Sequence, residues 1–118
     1  MDKYKDNFKI FTDGSKTETG QVGSAYYIPE IKMEKLRITD QSSIFTAEVI
    51  AIEEALKWLF SNKIKERAII FTDSLSSVEA IQSQTSNSKP NLIIRIMKLL
   101  RSLYFENCSV TFSGYLTT

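Results

Sequence analysis

Two short runs carry the same acidic group in the same setting. Residues 10 to 15 read IFTDGS and residues 70 to 74 read IFTDS, so Asp13 and Asp73 each follow a hydrophobic run and a threonine, 60 positions apart in a chain of 118. Nothing around the two copies matches, which argues against an internal repeat and for two strands that deliver one chemical group to one place. A third carboxylate, Glu48, stands between them in FTAEVIAIEEAL. Three gathered carboxylates repel one another, and the pKa of each rises unless positive charge sits among them. A hard divalent cation resolves the conflict. All-oxygen ligation, with no histidine and the single Cys108, favours Mg²⁺ or Mn²⁺ over zinc or copper. A centre that keeps such ions partly hydrated suits phosphodiester chemistry, in which two ions activate a water and stabilise the leaving oxygen.

The elements that must position these groups follow from pattern. FKIFT (8 to 12) is mostly apolar and β-rich, and Asp13-Gly14 reads as a turn; VGSAYYIP (22 to 29) and KMEKLRIT (32 to 39) are further strands of an antiparallel meander. TAEVIAIEEALKWLF, from Thr46, is built of helix formers, with Val49, Ile52, Leu56, Leu59 and Phe60 at helical spacing, and it puts Glu48 in the first turn. RAIIFTD (67 to 73) is an almost wholly apolar strand. SLSSVEAIQSQ reads as a short helix opening at Ser74, TSNSKP as a loop, NLIIRIMKLLRSLYF (91 to 105) as a second long helix and CSVTFSG (108 to 114) as a last strand. A long helix between the two Asp-bearing strands is the crossover that lets them run parallel as neighbours, about 4.8 Å apart. Alternation puts Asp13 on the face of Phe11 and Asp73 on that of Phe71, so both carboxylates reach one edge of the sheet, where open α/β sheets place their ligands.

IFTDGSK, FTAEVIAIEEAL and IIFTDS, in this order and at these spacings, resemble the ribonuclease H domain, most of all the versions carried by non-LTR retrotransposons. The resemblance runs from about Phe8 to Phe112, within a single domain spanning residues 1–118. It implies an α/β fold with a five-stranded mixed sheet, order 3-2-1-4-5, and helices on both faces. It also implies that Asp13, Glu48 and Asp73 hold Mg²⁺ or Mn²⁺, two ions in the intact family site, for endonucleolytic cutting of the RNA strand of RNA–DNA hybrids. Gly14 and Ser15 are expected to approach the hybrid, and Ser43, Thr46 and Ser74 to contact nucleic acid, with Ser42 beside them at the helix start. The context implied is a reverse-transcriptase polyprotein. After VTFS the family's Trp-x-Pro-Gly-His segment and its Gly-Asn-Glu-x-x-Ala-Asp helix start are replaced by GYLTT. The expectation is a truncated copy lacking a fourth carboxylate, a loop histidine and the C-terminal helix, with turnover weakened more than first-metal binding. The alternative is an inactive remnant that keeps the fold and some nucleic-acid binding.

Each motif has a plainer explanation when taken alone. Asp-Gly-Ser is commonly a turn, Thr-Asp-Ser a helix cap, and an early helical Glu a solvated charge favoured by the dipole. The ordered trio carries the metal-site reading. Glu53 and Glu54 are expected as a solvated stripe, and Trp58, Tyr104 and Phe105 as packing residues. Lys16, Lys89, Arg95 and Lys98 are expected as scattered surface charge rather than phosphate contacts. An unrelated Mg²⁺ phosphohydrolase also places an Asp after its first strand, but the further Asp and Lys such enzymes use are not patterned here. With 15 basic and 14 acidic residues the net charge is +1, so any nucleic-acid binding has to be local. No run approaches the ~20 apolar residues of a membrane span, and MDKYKDNFK lacks a signal peptide's apolar core. An intracellular monomer, cytoplasmic or nuclear, is expected.

Overall fold

The computed structural model describes residues 7–39, 42–84 and 90–114. The loop expected over TSNSKP falls almost wholly outside them, as do Lys89, Gln41 and the final residues of GYLTT.

Five strands form one mixed sheet in the order β3-β2-β1-β4-β5, accompanied by three helices. Strands β1 (Phe8–Lys16), β2 (Val22–Ile28) and β3 (Lys32–Ile38) make an antiparallel meander. Helix α1 (Ile44–Ser61) crosses over to β4 (Ala68–Phe71), which pairs parallel with β1. Helices α2 (Leu75–Ser83) and α3 (Pro90–Phe105) then lead to β5 (Val110–Ser113), parallel to β4. Both the element order and the sheet order match the expectation.

The alternating apolar positions of β2 explain its placement. Val22, Ser24, Tyr26 and Ile28 are buried on one side, while Tyr27 on the other is exposed. α1 covers the buried side of β1 and β2. Its stripe of Ala47, Ala51 and Ala55 has little side-chain bulk, and Val49, Ile52, Leu56 and Leu59 fill the core beside Ile10 and Ile70. All four residues of β4 are buried, as an apolar central strand requires. α3 contributes Leu92, Ile93, Ile96 and Leu103, packs on α1, and opens with Pro90 at a position where no N–H is needed.

Three expectations need correction. Asp13-Gly14 is not a turn: β1 continues to Lys16, because Gly14 pairs with Ser24 of β2, and the chain reverses instead through Thr17 to Gln21, with Gly20 at φ +88°. α1 begins at Ile44 rather than Thr46, since Ser43 caps it: the Ser43 hydroxyl accepts from Thr46 N–H at 3.1 Å. Phe60 lies off the core stripe and is exposed; Leu56 and Leu59 do the packing.

Candidate metal centre

The parallel register sets the site. Phe11 lies opposite Phe71, where β4 ends short of the strand expected over 67–73; Asp13, two residues further along β1, and Asp73, in the bend two residues past β4, follow that pair. Below them the Phe11 and Phe71 rings stack with centroids 4.8 Å apart. The threonine that precedes each aspartate points inward and secures the backbone. Thr12 donates its hydroxyl to the Phe71 carbonyl at 3.1 Å, bridging β1 to β4, and the Thr72 hydroxyl accepts from Ser74 N–H at 3.1 Å. The third carboxylate arrives from α1. Ser24 of β2 donates to the Ala47 carbonyl at 2.6 Å, and Gly14 lets the helix backbone close onto β1. A Cβ at Gly14 would lie 2.5 Å from the Glu48 nitrogen, so no larger residue fits without moving the helix.

Asp13, Glu48 and Asp73 thereby converge, and each offers a carboxylate oxygen within 4.8 Å of the other two. Among the described residues none of the three makes an ion pair. Asp13 and Asp73 are exposed and Glu48 is buried. Burial, then the charges of Asp73 and Asp13, push the Glu48 carboxyl up to about 7, against a smaller opposing contribution from the Gly14 N–H. Burial and then Asp73 also raise Asp13, and Gly14 again opposes. One oxygen of Glu48, Oε2, is fully buried with no hydrogen-bond partner. An orphaned acceptor facing two more carboxylates suits a hard divalent cation, which satisfies the oxygen and removes the repulsion at once.

Glu48 does not sit in the first turn of α1. The cap at Ser43 starts the helix earlier, which puts Glu48 a full turn in. The remaining site expectations fall as follows. Ser15 is exposed on the Asp13 face of β1, while Gly14 is buried against α1. The hydroxyls of Ser43 and Thr46 lie 2.9 Å apart within the α1 cap. Ser74 caps α2, accepting from Ser77 N–H at 3.3 Å, and its hydroxyl is 2.7 Å from that of buried Ser77.

Other expectations are overturned. Glu53 is not part of a solvated stripe: it is 4% exposed, and Arg95 of α3 grips it through Nε at 2.7 Å and Nη2 at 3.2 Å, so Arg95 is not a scattered charge either. The two residues are 42 positions apart, and only the α1–α3 packing brings them together. Tyr104 and Phe105 are exposed, edge to face with one another, because Leu103 takes the inward position at the end of α3. Trp58 does pack, stacked on Phe8 at 5.7 Å. Thr12, Thr72 and Ser24 are positioning residues outside the expected site. The repeated Thr before each Asp was the available signal.

A mixed 3-2-1-4-5 sheet with one acid on β1, one just past the end of its parallel neighbour β4, and a third from the crossover helix, defines the class. The ribonuclease H family profile matches residues 5–104, and the chain belongs to the ribonuclease H family. Its fold is similar to that of LC11 ribonuclease H1, isolated from compost by a metagenomic approach. That comparison gives a TM-score of 0.68 at 18% identity, over 92% of this chain and 85% of the other. It is also similar to ribonuclease H1 of the halophilic archaeon Halobacterium salinarum NRC-1, with a TM-score of 0.66 at 17% identity, over 92% of this chain and 86% of the other. No curated protein matches it in sequence. Among the described residues no helix is long and apolar enough to cross a membrane.

Proposed function

We propose that this chain is a metal-dependent endoribonuclease that cuts the RNA strand of RNA–DNA hybrids, with Asp13, Glu48 and Asp73 as the ligands of Mg²⁺ or Mn²⁺. The observation that carries the reading is the convergence of three carboxylates without an ion-pair partner among the described residues, one of them with a buried, unsatisfied oxygen. Family membership supplies the substrate class. When bound, a pair of such ions activates water for attack on a phosphodiester and stabilises the departing oxygen.

The chain's own residues hold that centre in place. The backbone that carries Asp13 is held by the β1 register, and that leading to Asp73 by the end of β4, which the Thr12 hydrogen bond ties to β1, so little backbone movement is needed when a substrate arrives. Glu48 is held by the Gly14 contact and by Ser24, and its burial keeps water from competing for the liganding oxygen. Two exposed ligands beside a buried one leave the centre open on the solvent side, where a phosphate can approach. Ser15, Ser43, Thr46 and Ser74, with the Gly14 backbone, are the proposed contacts for the nucleic acid. All three ligands come from one chain, which fits a monomer. The wording of the three motifs supports the kind of domain carried by non-LTR retrotransposons, acting beside a reverse transcriptase in the nucleus or cytoplasm.

The test is cleavage of a labelled RNA–DNA hybrid with Mg²⁺ or Mn²⁺. The wild-type chain is expected to cut the RNA strand, and Asp13→Asn and Asp73→Asn to lose at least about 100-fold in rate. Wild type cutting no better than these variants would end the proposal.

A further inference from the structure

We propose that the groove that begins at Ser15, floored by Gly23 and edged by Lys35 and Arg37 of β3, holds the phosphate backbone of the cleaved strand a short distance from the cut. This inference rests on the function proposed above. Its basis is the order of residues across one face of the meander.

Directly opposed residues in an antiparallel pair share a face. One row runs Asp13, Ala25, Lys35, and the next runs Ser15, Gly23, Arg37. From the metal centre outward, the face therefore passes from acid, through the two smallest side chains available, to base. At Gly23 lies a trough of about 380 Å³, lined by Ser15, Thr17, Gln21, Gly23, Lys35 and Arg37 among others. Lys35 and Arg37 are exposed. Glu34, just before Lys35, points to the other face and pairs with Lys32 at 3.5 Å, so the acid of this strand does not enter the trough.

Reach fits charge. β1 and β3 are two strand spacings apart, about 10 Å, and a nucleic-acid strand advances about 3.4 Å per nucleotide along its axis. A strand with its scissile phosphate at Asp13 and Asp73 meets Lys35 and Arg37 about three nucleotides away. The cleaved strand is the occupant, because the trough begins at Ser15, two residues from Asp13 on the same face. In a chain of net charge +1, a local basic edge is what gives a polyanion its register.

The test is the affinity of a fluorescently labelled RNA–DNA hybrid, followed by anisotropy over a range of salt, which reads binding whether or not the chain cleaves. Lys35→Gln is expected to weaken binding about three- to ten-fold and to flatten the dependence of log K on log salt by about 0.7–0.9, with Lys35→Gln/Arg37→Gln weaker still. Lys35→Arg, which keeps the charge, is expected to bind as wild type does, and unchanged melting temperatures show that the exposed substitutions leave the fold intact. Neutral methylphosphonates about three nucleotides from the cut in the RNA strand should weaken the wild type and leave Lys35→Gln unaffected. Equal affinity and salt slope for wild type and double variant would overturn the proposal, as would a methylphosphonate effect confined to the DNA strand. Weakened binding by these variants in a chain that does not cut would sink the enzyme reading and leave the groove standing.

Discussion

Glu48 is where the site is most costly to the protein that carries it. Its carboxyl titrates near 7 when folded against 4.5 ordinarily, so between those values the folded chain holds a proton that the unfolded chain has released. Stability of the metal-free protein is therefore greatest below about pH 4.5, as far as this group decides it, and is lost as pH rises through 7. Glu48→Gln should make the metal-free chain more stable by roughly 1–3 kcal/mol at about pH 8, with the difference vanishing below pH 4.5, as measured by urea unfolding across pH. Mg²⁺ competes with that proton. Its affinity for the wild type, followed by calorimetry, should climb about ten-fold per pH unit below 7 and level off above it.

At the scale of the elements, α1 and its contacts with β1 and α3 decide both geometry and stability. Gly14→Ala sets a methyl group against helix backbone at 2.5 and 2.8 Å, where no side chain can swing aside. The expected loss is about 2–3 kcal/mol by chemical denaturation, with weaker Mg²⁺ binding because Glu48 moves with the helix. Arg95→Ala strands the buried Glu53 carboxylate and should cost about 1–3 kcal/mol; adding Glu53→Gln should recover much of it, a coupling that a double-mutant cycle reads directly. These elements were unevenly legible. Periodicity was enough for the helices and strands, and the two IFTD copies carried the register that aligns Asp13 with Asp73. The extension of β1 was hidden because Asp-Gly is a local turn signal, whereas the need for Gly14 comes from a helix more than 30 residues later. Glu53 looked solvated for a similar reason: its partner is distant in sequence. The repeated Thr before Asp marks Thr12, but the bonds of Thr12 and Ser24 end on backbone carbonyls, and no residue pattern names those partners.

For the whole molecule, the carboxylate cluster links metal to fold. A cation that binds only the assembled site stabilises the folded state by about 2.7 kcal/mol at one hundred times its dissociation constant. In a domain of this size that corresponds to roughly 10 °C in melting temperature. Mg²⁺ titration followed by thermal melting should show such a rise in the wild type and little or none in Asp13→Asn.

The central pairing of β1 with β4 also sets a timetable. Phe8 meets Ala68, residues 60 apart, whereas β1 and β2 are joined by a short reversal. The hairpin can close on its own, but the parallel pair must wait for α1 to form and fold back, and such non-local pairing is slow. Asp13 and Asp73 come together only at that late step. During refolding, an optical signal from the β1–β2 hairpin should therefore precede Mg²⁺ uptake, and the cation becomes a clock for the last strand to dock.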